Sequence, residues 1–273
     1  MTEATLNPAV TRPGWRQLLP VYGVYAALLV LVLFNVVYTD NFLEWSNLRI
    51  QLVQVTPVVI VALGMALVIG TEGIDLSVGS VMALGAAIIP LYLGYGPVAA
   101  IVLALVGGLL IGFVNGSLVA FVGLQPIVAT LAMLVAGRGI ALVLSSGRYK
   151  DIHDKDFIEI GTGQFFYVPY TVWIAAVLAL VVGFLVRRTV FGRRLLAVGD
   201  NRPAAVLAGV PVRRVLVTVY IISAMLAAVA GALLMQLLTA TMIANNLRDS
   251  TAQMVQAVII LVAVYAARER RTR

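Results

Sequence analysis

The chain has 273 residues, of which 62% are hydrophobic and 11% charged, and a mean hydropathy of +1.02. So little polar residue cannot cover a soluble globule, and apolar runs of ~20 residues imply membrane-spanning α-helices rather than the short alternating segments of a β-barrel. The net charge of +7 does not point to nucleic acid, because the basic residues collect in loops and at the C-terminus, as the positive-inside bias requires. There is no cysteine and one histidine, His153, so neither a disulfide nor a thiolate metal site is available, and no metal or cofactor is expected.

Eight spans are predicted in chain order. After a polar tail, residues 1–17 with Arg12 and Arg16, the first runs from about Leu18 to Tyr38 and is read as an uncleaved helix rather than a signal peptide. TDNFLEWSNLRI follows as an interfacial segment, then a second span, 52–70, interrupted by Pro57. The short turn TEGIDLSVGS, Thr71 to Ser80, holds Glu72, Asp75 and Ser77 between two apolar stretches. Two readings stand for it. Ionisable groups at membrane depth are costly and usually face a cavity, which makes these residues candidates for gating or solute contact. Equally, this is a tight glycine-containing turn in which Asp75 caps the next helix.

The third, fourth and fifth spans end near Leu93, Ala120 and Ser145, and the fifth carries Arg138. That charge either finds a carboxylate, carbonyls or the interface, or serves the pathway. The polar stretch from Gly147 to Tyr170 has a charge near zero and suits an external loop, where a binding protein is one possible visitor. Spans six, seven and eight cover about 171–186, 215–241 and 252–267, followed by the tail RERRTR. Gln54, Thr56, Asn115, Gln125, Thr130, Ser223 and Gln253 have the amides and hydroxyls a sugar path needs. For any one of them, interhelical hydrogen bonding is the stronger reading, as packing is for Gly107, Gly108 and Gly112.

Between spans six and seven lies RRTVFGRRLLAVGDNRPAAVLAGVPVRR, Arg187 to Arg214, with seven of the nineteen basic residues, including Arg193 and Arg194. Its charge places it, and by alternation both termini, in the cytoplasm. A short helix is written into it: Asp200 and Asn201 as caps, Arg202 and Pro203 in the opening turn, Ala204 and Ala205 in the body, and Gly209 as the stop. Two turns do not hold themselves helical in water, so this helix leans on its own protein or on a partner, and a partner is favoured.

The stretches GMALVIGTEGIDLSVGSVMALGA, Gly64 to Ala86, and VNGSLVAFVGLQPIVATLAMLVAGRGIAL, Val114 to Leu142, resemble, together with the basic loop, the permease subunits of ribose-type monosaccharide ABC importers. The resemblance implies an inverted-repeat helical bundle and a pore formed with a second permease subunit. It also implies a cytoplasmic ATPase docking on the basic loop, and a periplasmic sugar-binding protein outside, in a bacterial inner membrane. A faint alignment of residues around Gly108 with those around Gly231 fits an inverted repeat. In one place the chain departs from the family: where members with about ten spans carry an ELDAIAAVVIGG-like stretch, AMLAAVAGALL passes directly into MQLLTATMIANN, as if two helices had been removed. No phosphate-binding GxxxxGK[ST] loop occurs, so energy must come from a partner, and the chain is not expected to be an enzyme. The alternatives are a secondary transporter or channel without an ATPase, and a shortened permease that does not transport.

Overall fold

The computed structural model describes residues 29–38, 41–146, 152 and 154–244, with side-chain surroundings up to Met235. The termini, most of the predicted first span, the eighth span, His153 and Gln253 lie outside the described residues. The chain forms two units, residues 1–51 and 52–273. In the first, helix α1, Leu29–Tyr38, precedes a turn in which the Asn47 side-chain amide donates to the Phe42 carbonyl at 3.2 Å, at the start of α2.

α2 spans Trp45–Ile69, so the stretch read as interfacial is already helical from Trp45. Pro57 does not end it, and beside it Thr56 Oγ1 donates to the Leu52 carbonyl at 2.8 Å. There follow α3 (Val78–Tyr92), α4 (Pro97–Ser117), α5 (Pro126–Leu144), the short α6 (Lys155–Thr162), a two-stranded hairpin of β1 (Gln164–Phe165) and β2 (Val168–Pro169), and α7 (Tyr170–Arg188). Then come α8 (Val190–Asp200), α9 (Arg202–Leu207) and α10 (Val212–Ala244). α4 closes in a π-helical turn, Leu118–Val122, stopped by Gly123 at φ +79.

Among the described residues six helices, α2 to α5, α7 and α10, are long and apolar enough to cross a membrane, matching the second to seventh predicted spans. Bulky apolar side chains such as Val135, Val143 and Leu180 are exposed on them, an arrangement that lipid, not water, satisfies.

α10 is the centre of the bundle, with Val219, Tyr220, Ala224, Ala227, Ala228 and Ala230 fully or almost fully buried. It packs on α4 through glycines four residues apart, because a missing Cβ lets two helix backbones touch. A Cβ at Gly108 would sit 2.8 Å from the Ala224 carbonyl oxygen, one at Gly112 2.6 Å from that of Tyr220, and one at Gly116 2.7 Å from the Val217 Cα. Rising numbers on α4 meet falling numbers on α10, so the two helices are antiparallel, as the opposite senses predicted for spans four and seven require. Gly85 of α3 meets the Ala228 carbonyl in the same way. α10 continues without a break through Gly231 to Ala244, so the junction at which the resemblance expects two further helices is here one uninterrupted helix.

Candidate functional site

Between α2 and α3 the chain has no regular secondary structure, and its burial alternates strictly: Thr71, Gly73, Asp75 and Ser77 are buried, while Glu72, Ile74 and Leu76 are exposed. The turn begins with a helix stop. Glu72 N–H donates to the Ile69 carbonyl and Gly73 N–H to that of Val68, at 2.9 and 3.0 Å, and Glu72 itself is left-handed at φ +59. This is the geometry in which glycine usually sits. Glu72 is therefore an exposed residue at the helix stop and takes no part in the buried cluster, the place the tight-turn reading gives it.

Asp75 is 1% exposed. Its Oδ1 accepts from the Ser77 N–H at 2.9 Å and from Ser77 Oγ at 2.6 Å, and its Oδ2 accepts from Ser223 Oγ of α10 at 3.3 Å. Asn115 Nδ2 of α4 donates to Ser77 Oγ at 2.8 Å. Thr130 Oγ1 of α5 accepts the Leu76 N–H at 3.1 Å, and Ser80 Oγ donates to the Ser77 carbonyl at 2.8 Å. Side chains of α3, α4, α5 and α10 thus converge on one turn. Burial pushes the Asp75 carboxyl above the ordinary aspartate range, and the hydrogen bonds from Ser77 and Ser223 oppose that shift without reversing it. Two buried polar atoms of this region, Asn115 Oδ1 and Tyr220 Oη, have no hydrogen-bond partner.

The convergence joins Asp75, Ser77 and Asn115 from the sequence candidates, with Thr130 and Ser223 from the wider polar set. Asp75 is bonded to Ser77, the N-cap position of α3, and not to an N–H of that helix's first turn. Gln125 and Arg138 do not join it: Gln125 is exposed ahead of α5, and Arg138 is exposed on it. Tyr220, wholly buried and with its Oη 2.9 Å from where a Gly73 Cβ would stand, escaped sequence reasoning because one tyrosine in an apolar span carries no periodic signal.

Against this turn lies the basic connector, which is two helices rather than a loop with one. Thr189 caps α8 by accepting the Gly192 N–H at 3.4 Å, and Gly192, Leu195 and Val198 are its buried face while Arg193 and Arg194 are exposed. Asp200 is the last residue of α8, not a cap of α9. Asn201 alone fills that place, its Oδ1 accepting the Ala204 N–H at 2.9 Å, and α9 runs from Arg202 to Leu207. Gly209, at φ +75, ends α9 as expected: its N–H donates to Val206 and that of Val210 to Ala205, both at 3.0 Å. Ala205 is buried, whereas Leu207, 90% exposed, and Val206 point away from the protein. The signal for α8 was present in Phe191, Leu195 and Val198 at helical spacing after Thr189.

A bundle of lipid-suited helices around a buried polar turn, overlaid by a basic amphipathic connector, defines a multi-pass membrane protein with the parts of a transporter. The model of the family described as branched-chain amino acid transport system / permease component matches residues 47–266, and the chain belongs to this family. It is similar to the L-arabinose ABC transporter permease protein of Azospirillum brasilense, with 34% identity over 85% of this chain and 69% of the relative. It is likewise similar to the fructose import permease of Bifidobacterium longum, 38% over 75% and 62%, and the ribose import permease of Bacillus subtilis, 37% over 78% and 67%. The chain thus spans roughly two thirds of the length of these curated relatives. No solved structure matches.

Proposed function

We propose that the chain is the membrane-spanning subunit of an ATP-binding-cassette importer for a monosaccharide or related small polar solute in a bacterial inner membrane. The family description speaks of branched-chain amino acids, but the relatives named above are permeases for arabinose, fructose and ribose, and at 34 to 38% identity they are the better guide to solute class. The connector faces the cytoplasm with both termini, and a separate ATPase docks on it. A second permease subunit completes the pathway, and a periplasmic sugar-binding protein delivers the solute on the side of Gly147 to Tyr170.

The observation that carries this reading is α9. It presents Val206 and Leu207 beyond the bundle, flanked on the connector by exposed Arg193, Arg194, Arg213 and Arg214, a surface suited to an apolar groove with an acidic rim. Its cap and its stop are both satisfied internally, so docking requires no ordering of the helix. ATP-driven closure of the ATPases then moves α9, and the pathway changes its open side.

The test is co-purification of the ATPase with the parent chain and with Leu207→Glu, a change on an exposed position that leaves the fold alone. Association with the parent that is lost in the variant supports the reading; equal association with both overturns it. Solute uptake by the assembled complex that persists with a hydrolysis-deficient ATPase would instead assign a secondary transporter. A second reading, a permease that assembles without transporting, is favoured by the unbroken α10 where the resemblance expects two further helices. It predicts ATPase association without uptake.

A further inference from the structure

The connector and the polar turn meet backbone to backbone. Gly199 of α8 lies so close over Gly70 that a Cβ there would collide with the Gly70 carbonyl oxygen. Gly70 meets the same helix a second time, its own Cβ position being 2.8 Å from Leu195 Cδ2 of α8. Next in line, Arg202 Nη2 of α9 donates to the Thr71 carbonyl at 3.4 Å, and Arg202 Nε is buried without a partner. The far face of the turn is equally confined. Gly73 abuts Tyr220 Oη, Asp75 is bonded to Ser223 one helical turn further along α10, and Tyr220 lies within electrostatic reach of both Asp75 and Arg202.

We propose that Thr71 to Ser77 is the relay by which movement of the connector reaches the Asp75–Ser77–Asn115 cluster, with Gly199 and Arg202 as its positioning residues. Close-packed backbones do not compress, so a displacement of α8 and α9 cannot be absorbed at the Gly70–Gly199 contact. It passes into a segment held by hydrogen bonds to Thr130 of α5 and Ser223 of α10, and on to the start of α3. Small shifts at such a contact are converted into a switch between packed arrangements rather than a graded deformation. The proposal rests on the reading of α9 as the docking helix of the ATPase.

The natural absence of cysteine permits a direct test on the full chain in lipid nanodiscs. Leu76→Cys places one thiol on the exposed side of the relay, outside the buried cluster. Its rate of modification by N-ethylmaleimide, and amide exchange over residues 70–77, are measured in the parent, in Arg202→Gln and in Gly199→Ala.

Without any ATPase, both variants should raise labelling and exchange in the turn roughly tenfold, a change of about 1.4 kcal/mol in local opening, while α4 and α10 exchange as before. With ATPase and a non-hydrolysable ATP analogue, nucleotide should change Leu76→Cys labelling in the parent. In the two variants that response should vanish although the ATPase still co-purifies. Unchanged labelling in both variants, equal loosening of α4 and α10, or a nucleotide response that survives in them would each overturn the relay. Failure of the ATPase to bind the parent sinks the docking reading instead, and the ATPase-free measurement still decides whether the contact holds the turn.

Discussion

Gly112→Ala tests the packing that places the polar turn. The added Cβ would stand 2.6 Å from the Tyr220 carbonyl oxygen, 2.7 Å from Ile221 Cα and 2.9 Å from Ala224 Cβ, where ordinary contact begins at 3.4 Å. Two of these neighbours are backbone, so no rotamer change relieves the overlap, and α10 must recede by about 0.8 Å. A gap of 0.5–1 Å forfeits roughly a quarter to a half of each dispersion contact along the seam, and overpacking of this kind costs about 1–3 kcal/mol. Against it stands the helix preference of alanine over glycine, about 1 kcal/mol at most. With two backbone neighbours to displace, the clash prevails, for a net loss of up to about 2 kcal/mol.

Gly139→Ala is the control. Gly139 lies within α5 and nothing stands within 4 Å of its Cβ position, so only the propensity gain applies and this variant should match or exceed the parent in stability. Reversible unfolding in mixed micelles, with the denaturing detergent fraction varied, reads both. Equal stability of the two variants would refute the claim that the α4–α10 seam is built on absent side chains.

Glu72→Gly should stabilise the chain by up to about 1 kcal/mol in the same assay, because the left-handed conformation at φ +59 strains any residue with a Cβ. Asn201→Ala should cost α9 about 1 kcal/mol, seen as faster amide exchange at residues 204–208 with α10 unaffected. The pH dependence follows from Asp75, whose carboxyl is raised in the fold relative to the unfolded chain. Its stabilising contribution is therefore complete below the ordinary aspartate range and is lost as pH rises through the raised value, leaving a buried charge as a cost at neutral pH. Stability of the parent should fall over that interval, and Asp75→Asn should flatten the fall. A parent that gains stability there would contradict the assignment.

The spans were legible because hydropathy reports lipid burial directly, and the six that fall within the described residues match it. The start of α2 was not. Trp45 to Gln51 is helical yet amphipathic enough to resemble an interfacial segment, since hydropathy is blind to helix outside the membrane. In the connector, Asn201, Pro203 and Gly209 marked α9 through their fixed roles at helix ends, whereas α8 was hidden by two glycines and two arginines that dilute its periodic apolar face. The polar residues of the site were each visible as residues that lipid cannot satisfy. Their meeting was not, because Asp75 to Ser223 spans 148 positions and no local pattern records which helix faces which. Gly70 and Gly199 show the same limit: each reads as a helix-end glycine until the contact between them is seen.

The central claim is that the basic connector faces the cytoplasm, where a separate ATPase reaches it. Leu207→Cys puts the only thiol on the most exposed apolar position of α9. A membrane-impermeant maleimide should label it in inside-out vesicles and leave it untouched in right-side-out vesicles until they are permeabilised. Labelling of intact right-side-out vesicles would place the connector outside, and docking, relay and importer would fall together.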